Sequence, residues 1–550
     1  MNIVKRRSIE FWLVVLGLCA VFFLAINPIA DFDTGYHLKN GQYILESHTI
    51  PRADIFSYSA SGASWVNHYW LSDVIFFLVY HSVGWRGLTF FIALLAALTY
   101  ALLLKTARLM GAPPLLSLVL LFPVAYLTLE LWVVRPQVFS YLCAVLLIYL
   151  LERRHTLRNR YLAFFIPAVM LIWANMHAGV LLGLVVLCIY EGATIIANHF
   201  RLKPMGFFLF ASSLSFIVVF ANPNGYSTLA YASIIAPAVK ELGVMEWGSL
   251  LQFLTTWQAK LFFMEMLVVT AFLAWRVAIK KDVTLALRGL GVVGLAFVLP
   301  LVSVRHVGFF PLLILPLLAR EVYELFEERR GFAMDKDVVR YCIAAALVLV
   351  CVFAYQKDTA QAVVNTHLLP VRAGDFIATT GLQGPMFDIP AQGGQLIFRL
   401  WPEQKVFMDG RSEIYKDEVD KDFLAIMKQQ PGWEKLVNEK YKFNYFVLWY
   451  REPLAAPTRN LALRLMRDFN FILVQWDDAT IILVRNVPQN ASIIAAHQYH
   501  IINPFIDSSL IRDEYIKDAA RETQRALDEA PDSSVMHAYA QGILLRLRGR

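Results

Sequence analysis

Asp31 and Asp33 follow the first long apolar stretch of the sequence and are separated by a single residue. Two carboxylates at this spacing in a loop can bind one divalent cation, or one can act as a base while the other orients a substrate. In a soluble loop the pair would simply be solvated. Next to hydrocarbon it is costly, and an ionisable group at a membrane boundary is a functional hypothesis by default. We therefore expect the function to centre on this pair.

The composition is that of a polytopic membrane protein with some soluble mass attached. Of the 550 residues, 58% are hydrophobic and 17% are charged, whereas soluble domains are about 25% charged. The net charge of +7 does not indicate nucleic-acid binding. Lys and Arg cluster in short connections between apolar stretches, which is the pattern of cytoplasmic loops.

Charge placement predicts eleven spans, with a cytoplasmic N-terminus and an outer C-terminus. Lys5–Arg7 precede the first span, which has no clear cleavage site and is therefore expected to be retained. The transmembrane domain is predicted at 1–356, with a first outer loop at 30–85 and a second at 222–258. The first loop should contain a helix from His37 and an interfacial helix at 69–83. The spans are expected at about 9–29, 86–104, 115–134, 138–151, 161–174, 178–198, 205–221, 259–278, 285–303, 307–323 and 341–355.

Several polar residues fall at the outer ends of spans, against this charge rule. We expect Arg135, Arg305 and His306 to be functional there, the alternative being an internal ion pair or a side chain that reaches to the interface. His37 and His177 lie at the same boundary and could bind a metal or a phosphate. The alternative for each histidine is a hydrogen bond to the backbone, which is favoured for His68.

The remainder of the chain is predicted to be soluble. Residues 357–490 alternate strands and helices, which indicates a small α/β domain. Strands are expected at Met386–Ile389, Lys405–Met408, Tyr445–Trp449, Phe471–Trp476 and Thr480–Val484. Residues 491–550 form a helical tail like one tetratricopeptide unit. Because one unit cannot bury its own face, the tail should pack on the α/β domain or accept a protein partner.

Two further acidic residues have competing interpretations. Asp409 precedes Gly410 and Arg411 at a strand end, where ligands often bind in α/β sheets. An internal Asp–Arg pair is the favoured interpretation for this segment. Asp54, in the first outer loop, is as consistent with a turn residue as with a ligand.

The first outer loop resembles the GT-C superfamily of membrane glycosyltransferases, which includes oligosaccharyltransferases, protein O-mannosyltransferases and aminoarabinose transferases. The resemblance is closest to a largely unassigned bacterial group with D-x-D-x-x-x-H-L, I-P-x-x-D-x-F-S-Y and W-V-x-H-x-W-L motifs. It covers the chain to about residue 485, and Tyr69 and Ala178 depart from the pattern. The residues that carry it are 31–38, 50–58, 65–71, 135–137, 173–177, 305–306 and 406–411.

This resemblance implies transfer of a sugar from a polyprenyl-phosphate or polyprenyl-diphosphate carrier to a glycan, lipid or protein acceptor. The reaction would take place at the outer face of a bacterial inner membrane, with the C-terminal domain in the periplasm. Asp33, and next Asp31, would be the general base, and the same pair could hold Mg²⁺ or Mn²⁺. The residues expected to bind the lipid phosphate are Arg135, Arg305, His306, His177, His37 and His68.

Two other functions are compatible with a membrane fold of this kind. One is a catalytically inactive scaffold or polysaccharide-assembly subunit that recruits partners through its C-terminal helices. The other is a transporter, which is disfavoured because the sequence shows no internal repeat and no series of acidic residues in the middle of spans.

Overall fold

The computed structural model describes residues 3–157, 163–200, 206–231, 245–328, 343–348, 350–352, 363–415, 418–451 and 455–548. The chain divides into two compact units. The first comprises Met1–Pro28 and Val66–Val363, and the second comprises Ile29–Trp65 and Val364–Arg550. This division differs from the predicted domain at 1–356, because residues 29–65 group with the C-terminal part of the chain and not with the apolar helices.

The first unit is built of helices, and ten of the predicted spans coincide with a helix in the described residues. Four helices are long and apolar enough to cross a membrane: Trp70–Leu109, Val180–Ala197, Trp257–Ala278 and Val283–Val302. The predicted span at 341–355 and the second outer loop at 222–258 lie partly outside the described residues. The other helices are Ile3–Leu24, Pro114–Thr128, Gln137–Leu157, Phe165–Met176, Gly206–Val218 and Phe309–Glu328, with 3-10 turns at Leu129–Leu131, Met245–Trp247, Leu250–Phe253 and Val304–His306.

A break at Gly84 divides the helix Trp70–Leu109. The backbone there has φ 67° and ψ −167°, a conformation that only glycine adopts readily. The sequence predicts a helix at 69–83 followed by a span at 86–104, and the break falls between these two segments. The boundary between them is therefore confirmed, although the two helices are continuous in all but one residue.

The helix at the predicted span 307–323 continues beyond it to Glu328. Its acidic face pairs with Arg276 of the helix Trp257–Ala278 and with Lys280, which follows that helix. Arg276 donates to Glu328 at 2.8 Å, and its Nε lies 3.3 Å from the buried Glu321. These pairs satisfy charges that would otherwise end the apolar helix.

A four-stranded sheet forms the centre of the second unit. Its strands are β1 (Met386–Phe387), β2 (Tyr445–Trp449), β3 (Phe471–Trp476) and β4 (Thr480–Arg485), in the order β1-β2-β4-β3. β1 is parallel to β2, while β4 is antiparallel to both β2 and β3. The predicted strands Phe471–Trp476 and Thr480–Val484 are confirmed, and they pair as a hairpin across Asp477-Asp478.

The predicted strand at Lys405–Met408 is wrong. Val406 instead makes one isolated parallel bridge with Ser57. Its N–H donates to the carbonyl of Phe56 at 3.2 Å, and its carbonyl accepts from the N–H of Tyr58 at 3.1 Å. The backbone partners of this segment thus come from residues 29–65, which the sequence pattern did not reveal.

Helices surround this sheet, and the helix Thr34–Ser47 packs against Pro390–Leu400. At this crossing a Cβ added to Gly35 would lie closer than 3.0 Å to the backbone of Gly394. The other helical segments of the unit are Val371–Thr380, Glu418–Met427, Trp433–Lys435 with the π-turn Leu436–Lys440, Ala455–Asp468, Ala491–His497, Ile516–Glu529 and Ser534–Arg548.

The last helix, Ser534–Arg548, is attached to the turn of the β3–β4 hairpin. Asp478 accepts hydrogen bonds from the N–H groups of Ser534 at 3.0 Å and Val535 at 2.9 Å, and from the Ser533 hydroxyl at 2.7 Å. An aspartate that binds the first N–H groups of a helix satisfies donors that lack partners within the helix. These hydrogen bonds lower the pKa of Asp478 to about 2, against the effect of its burial.

Candidate functional site

Asp33 immediately precedes the helix Thr34–Ser47, and its carboxylate does not cap that helix. Asp31 closes the turn before the helix, because its Oδ1 accepts the backbone N–H of Asp33 at 2.9 Å. Both side chains are half-buried. The structure therefore separates the two residues: Asp31 fixes the local turn, whereas the Asp33 carboxylate is presented at a helix N-terminus, where negative charge is favoured.

Residues from the far end of the chain lie directly against this acid. A Cβ added to Gly410 would be closer than 3.0 Å to Oδ1 of Asp33, so only glycine fits there without a shift. A Cβ added to Gly394 would be equally close to the carbonyl oxygen of Phe32. The backbone of residues 32–35 is thus in contact with two glycine-containing segments of the second unit.

A fully buried cluster of charges lies next to Gly410. Nη2 of Arg411 is 2.7 Å from Asp54 and 2.5 Å from Asp409, and its Nε donates to Asp409 at 2.8 Å. The Tyr415 hydroxyl donates to Asp409 at 2.7 Å. The favoured internal Asp409–Arg411 pair is confirmed. Asp54 is its third member, which no sequence pattern indicated.

Electrostatics and packing both keep Arg411 ionised in this cluster. Burial alone would lower its pKa, but Asp409 and Asp54 raise the pKa of the guanidinium well above its ordinary value. The guanidinium also lies 4.5 Å from the ring centroid of Trp65 and 5.1 Å from that of Phe56. Asp54 accepts the N–H groups of Phe56 and Ser57, at 3.2 and 3.0 Å, which confirms its interpretation as a turn residue.

His37 lies in the same unit but in a different environment. It is only 2% exposed and stands in the helix Thr34–Ser47, with its ring centroid 4.3 Å from that of Tyr36. In this position the imidazole is buried and packs against the ring of Tyr36. Its predicted role in binding phosphate stays a prediction.

Arg135 and Arg305, in the first unit, bind the same carboxylate. Nη1 of Arg135 is 2.8 Å from Oε2 of Glu246, and Nη1 of Arg305 is 3.4 Å from Oε1. The ion-pair alternative for these arginines is therefore observed. Glu246 was missed in the sequence, although an acid beside a tryptophan in an outer loop is a natural partner for two outer arginines.

The backbone around Glu246 is fixed to the segment that carries Arg305. The Ser303 hydroxyl donates to the carbonyl of Glu246 at 2.9 Å, and the N–H of Val304 donates to the carbonyl of Gly248 at 2.7 Å. The Arg305 guanidinium lies 5.3 Å from the ring centroid of Trp247. The carboxylate and the cations are thus held by neighbouring backbone and not by long flexible side chains alone.

The charges of this cluster change the protonation of its neighbours. Burial raises the pKa of Glu246, but Arg305 and Arg135 outweigh it and leave the pKa below its ordinary value. For His306, burial and the adjacent Arg305 charge lower the pKa to about 4. At neutral pH Glu246 is therefore ionised, and His306 is neutral and can act as a hydrogen-bond donor but not as a cation.

His177 and His68 form a separate polar group in the first unit. Nδ1 of His177 lies 2.8 Å from the Ser140 hydroxyl and accepts the N–H of Gly179 at 3.0 Å. Nδ1 of His68 lies 3.1 Å from the carbonyl of Val66, which confirms the backbone hydrogen bond favoured for it. The two imidazole ring centroids are 5.9 Å apart.

The predicted site residues fall in both units. Within the second unit the structure brings Asp31 to Asp33, and within the first it joins the two arginines through Glu246. Across the described ranges, no group of three His, Cys, Asp or Glu side chains could hold a metal ion. The Asp31–Asp33 pair fits Mg²⁺ only in the manner in which one or two carboxylates share the ion with substrate phosphates.

No family model and no curated protein matches the chain. It is similar to a solved structure of the archaeal oligosaccharyltransferase AglB from Archaeoglobus fulgidus, in complex with an inhibitory peptide and a dolichol-phosphate. The identity is 11% and the TM-score 0.52, over 89% of this chain and 76% of that one.

Two further structures of the Archaeoglobus fulgidus enzyme are similar to the chain. The apo form has 10% identity and a TM-score of 0.53, over 89% and 76% of the two chains. The complex with zinc and sulfate has 9% identity and a TM-score of 0.52, over 98% and 85%. These structures are GT-C membrane glycosyltransferases, so the fold expected from the sequence resemblance is confirmed.

Proposed function

We propose that the chain transfers a sugar from a polyprenyl-phosphate or polyprenyl-diphosphate carrier to a glycan, lipid or protein acceptor. The reaction would take place at the outer face of a bacterial inner membrane. The observation that carries the proposal is the placement of Asp33, a half-buried carboxylate at a helix start that is not used to cap that helix. In a chain with the fold of a membrane glycosyltransferase, such a group is suited to act as a base.

In the proposed step, Asp33 accepts the proton of the acceptor hydroxyl while the acceptor oxygen attacks the anomeric carbon of the sugar. The bond between that carbon and the carrier phosphate breaks, and the phosphate leaves with the electron pair. Asp31 supports this step because its bond to the N–H of Asp33 fixes the start of the helix. A positioned general base contributes about 10²–10⁴-fold in rate.

Arg135 and Arg305 are proposed to stabilise the phosphate that leaves. Their two guanidinium groups already bind two oxygens of one anionic group, Glu246, at 2.8 and 3.4 Å. A phosphate has the same charge sign and comparable oxygen spacing, and Arg–phosphate contacts are among the stronger hydrogen bonds in proteins. The bound dolichol-phosphate in the AglB structure supports a lipid phosphate as the ligand.

Three histidines of the first unit are proposed to contact the same phosphate: His306, His177 and His68. His306, with its pKa lowered to about 4, is neutral and already bonds to the backbone of Leu299, so its contact with the phosphate would replace that bond. His37, which lies in the second unit, is proposed to act near Asp33. A divalent cation, if bound, would be held by Asp31 and Asp33 and would supply charge neutralisation for the phosphate.

The finer architecture belongs to the same proposal. We place eleven spans in the bilayer, with the N-terminus in the cytoplasm and the sheet of β1–β4, with its helices, as an α/β domain in the periplasm. The helices Ile516–Glu529 and Ser534–Arg548 would be a tetratricopeptide-like unit. Their exposed apolar residues, such as Leu545 at 71% exposure, are suited to binding an envelope protein.

A scaffold without catalytic activity is the second candidate. It is favoured by the pairing of both arginines with Glu246, because a permanent ion pair would leave no cation to bind a substrate phosphate. In this case the C-terminal helices would recruit the partner, and the acidic pair would serve only to start the helix Thr34–Ser47.

The test uses the purified full chain in liposomes, a panel of radiolabelled polyprenyl-phosphate sugars, and membrane extract as the acceptor source. We expect loss of label from at least one donor, and at least a hundredfold slower transfer for Asp33→Asn. The matched control is Asp518→Asn, an exposed aspartate of the same unit whose pair with Arg521 lies at the surface. No transfer by the parent chain from any donor, or full transfer by Asp33→Asn, overturns the mechanism.

A further inference from the structure

We propose that Gly410 and Arg411, residues of the C-terminal part of the chain, are positioning residues for the candidate base Asp33. The inference rests on the proposed function and adds to it. It assigns to the segment Asp409–Arg411 the task of fixing where the carboxylate stands, although this segment is distant from Asp33 in the sequence.

Arg411 is enclosed by aromatic residues of the first outer loop. Its guanidinium lies 4.5, 5.1 and 5.7 Å from the ring centroids of Trp65, Phe56 and Tyr36. All three rings belong to the segment 29–65, and Arg411 is 1% exposed. Removing the side chain would leave a cavity surrounded by aromatic rings from both ends of that segment.

The positive charge of Arg411 compensates two buried carboxylates. Asp54 and Asp409 are both fully buried as side chains, and Arg411 bonds to each of them. Without the guanidinium, these two buried carboxylates would lose the cation that pairs with both of them in the described part of the chain. Because a buried unpaired charge is costly, the loop around Asp54 would rearrange.

Residues 55–58 of the first outer loop are also bound through hydrogen bonds that involve the backbone. Phe56 and Tyr58 bond to Val406, and Nε1 of Trp401 donates to the carbonyl of Ile55 at 3.2 Å. The Tyr58 hydroxyl donates to the carbonyl of Met386 at 2.6 Å. The segment 52–58 is therefore attached at several points to residues 386–411, and a displacement of one moves the other.

Gly410 connects the Arg411 cluster with the carboxylate of Asp33. Gly410 stands between Asp409 and Arg411, and its Cα faces Oδ1 of Asp33 at a distance that leaves no room for a Cβ. Next to it, Gly394 leaves no room between its backbone and the carbonyl of Phe32. The Asp33 carboxylate thus rests on a surface whose position is set by the buried Arg411 cluster.

The test uses Gly410→Ala and Arg411→Lys in the full chain, with Gly374→Ala as the matched control. A Cβ at Gly374 meets the side chains of Arg399 and Leu396 at 3.0 Å or more, so a shift of a few tenths of an ångström in the half-exposed Arg399 side chain accommodates it. Arg411→Lys keeps the charge but loses the two-pronged contact with Asp409. Activity is measured as kcat and KM for the donor that the parent chain uses, and as the pH profile of kcat. Hydrogen exchange of peptides covering residues 29–47 is measured in parallel.

We expect kcat to fall at least tenfold for Gly410→Ala with KM unchanged, and the acid limb of its pH profile to move. Hydrogen exchange should accelerate in residues 29–40 and remain as in the parent chain elsewhere. Parental kcat and pH profile in a folded Gly410→Ala overturn the inference, and the same result for Arg411→Lys overturns the role of Arg411. The Asp33→Asn transfer assay separates this inference from the proposed function. If Asp33→Asn is inactive while Gly410→Ala is fully active, only the positioning role of Gly410 is overturned. If Asp33→Asn is fully active, the proposed function itself fails.

Discussion

Asp54 and Arg411 lie 357 positions apart in the chain, and their side chains form an ion pair at 2.7 Å that is closed to solvent on both sides. The pair joins two motifs of the sequence, Ile50–Tyr58 and Val406–Arg411, that otherwise have separate explanations. Both motifs lie in the second unit, where this pair and the bridge between Ser57 and Val406 hold them together.

Asp54→Asn should destabilise the second unit strongly. It removes one of the two buried anions that compensate Arg411, and breaking a buried pair costs about 3–5 kcal/mol. We expect a lower midpoint in a thermal unfolding scan of the purified chain. Asp468→Asn, which affects an exposed pair with the adjacent Arg467, serves as the control and should leave the midpoint unchanged. An unchanged midpoint for Asp54→Asn would mean that Asp409 alone compensates the cation.

Two substitutions at Asp31 separate its turn from its charge. Asn retains an Oδ1 that can accept the N–H of Asp33, whereas Ala removes this acceptor. We expect Asp31→Asn to keep the parental thermal midpoint but to lose at least tenfold in transfer rate. Asp31→Ala should lose both. The measurements are transfer in liposomes and thermal unfolding, and full activity of the Asn variant would restrict Asp31 to a structural role.

Glu246→Gln should increase the affinity for polyprenyl phosphate. Glu246 is the anion that Arg135 and Arg305 bind, and a neutral amide competes less well with a phosphate for the two guanidinium groups. We expect about tenfold tighter binding, in equilibrium binding to vesicles that contain polyprenyl phosphate. Glu130→Gln, an exposed glutamate of the same unit, is the matched control. Weaker binding by Glu246→Gln would show that the carboxylate organises the arginines and does not occupy their site.

The lowered pKa of His306 predicts that the free energy of unfolding of the first unit depends on pH. Its pKa is lowered from 6.5 to about 4, chiefly by burial, so the unfolded chain takes up this proton more readily than the folded one. Stability should therefore decrease as the pH falls from about 6.5 to about 4, by an amount on the order of 3 kcal/mol. Thermal midpoints measured between pH 4 and 8 should show a smaller decrease in His306→Gln than in the parent chain. Identical slopes would contradict this assignment.

Asp478→Ala should release the last helix from the sheet. The carboxylate binds the N–H groups of Ser534 and Val535, and the substitution leaves these donors without that acceptor. We expect limited proteolysis to cleave near residues 530–535 at least several times faster than in the parent chain, with the remaining fragment pattern unchanged. Because the pKa of Asp478 is about 2, the parent chain should keep this attachment from neutral pH down to about pH 3. Equal cleavage rates would indicate that ring packing, such as Trp476 against Tyr539, is sufficient.

Much of the first unit could be predicted because its signal is local. Apolar stretches of sufficient length become helices, and the break at Gly84 was visible as a change in sequence character. The β3–β4 hairpin was equally predictable, because Asp477-Asp478 lies between two apolar strands. In each case the residues that determine the structure are neighbours in the chain.

The rest could not be predicted because it depends on partners far apart in sequence. The segment Lys405–Met408 has the composition of a strand, yet its partner is Ser57 and it makes a single bridge. Glu246 has no periodic pattern around it that would connect it with Arg135 or Arg305. The likeness to GT-C enzymes indicated the fold, but it did not indicate that residues 29–65 group with the C-terminal part of the chain.

The same grouping sets an order of events during synthesis. The segment 29–65 leaves the ribosome long before residues 364–550, on which it packs. At about 5–20 residues per second, roughly 300 intervening residues correspond to about 15–60 s of translation. During this interval Tyr36, Phe56 and Trp65 do not yet enclose the Arg411 guanidinium, and Asp33 lacks its contact with Gly410. A nascent chain that stalls before Arg411 would therefore carry the acidic pair in an unassembled state, which makes the candidate site one of the last parts of the protein to mature.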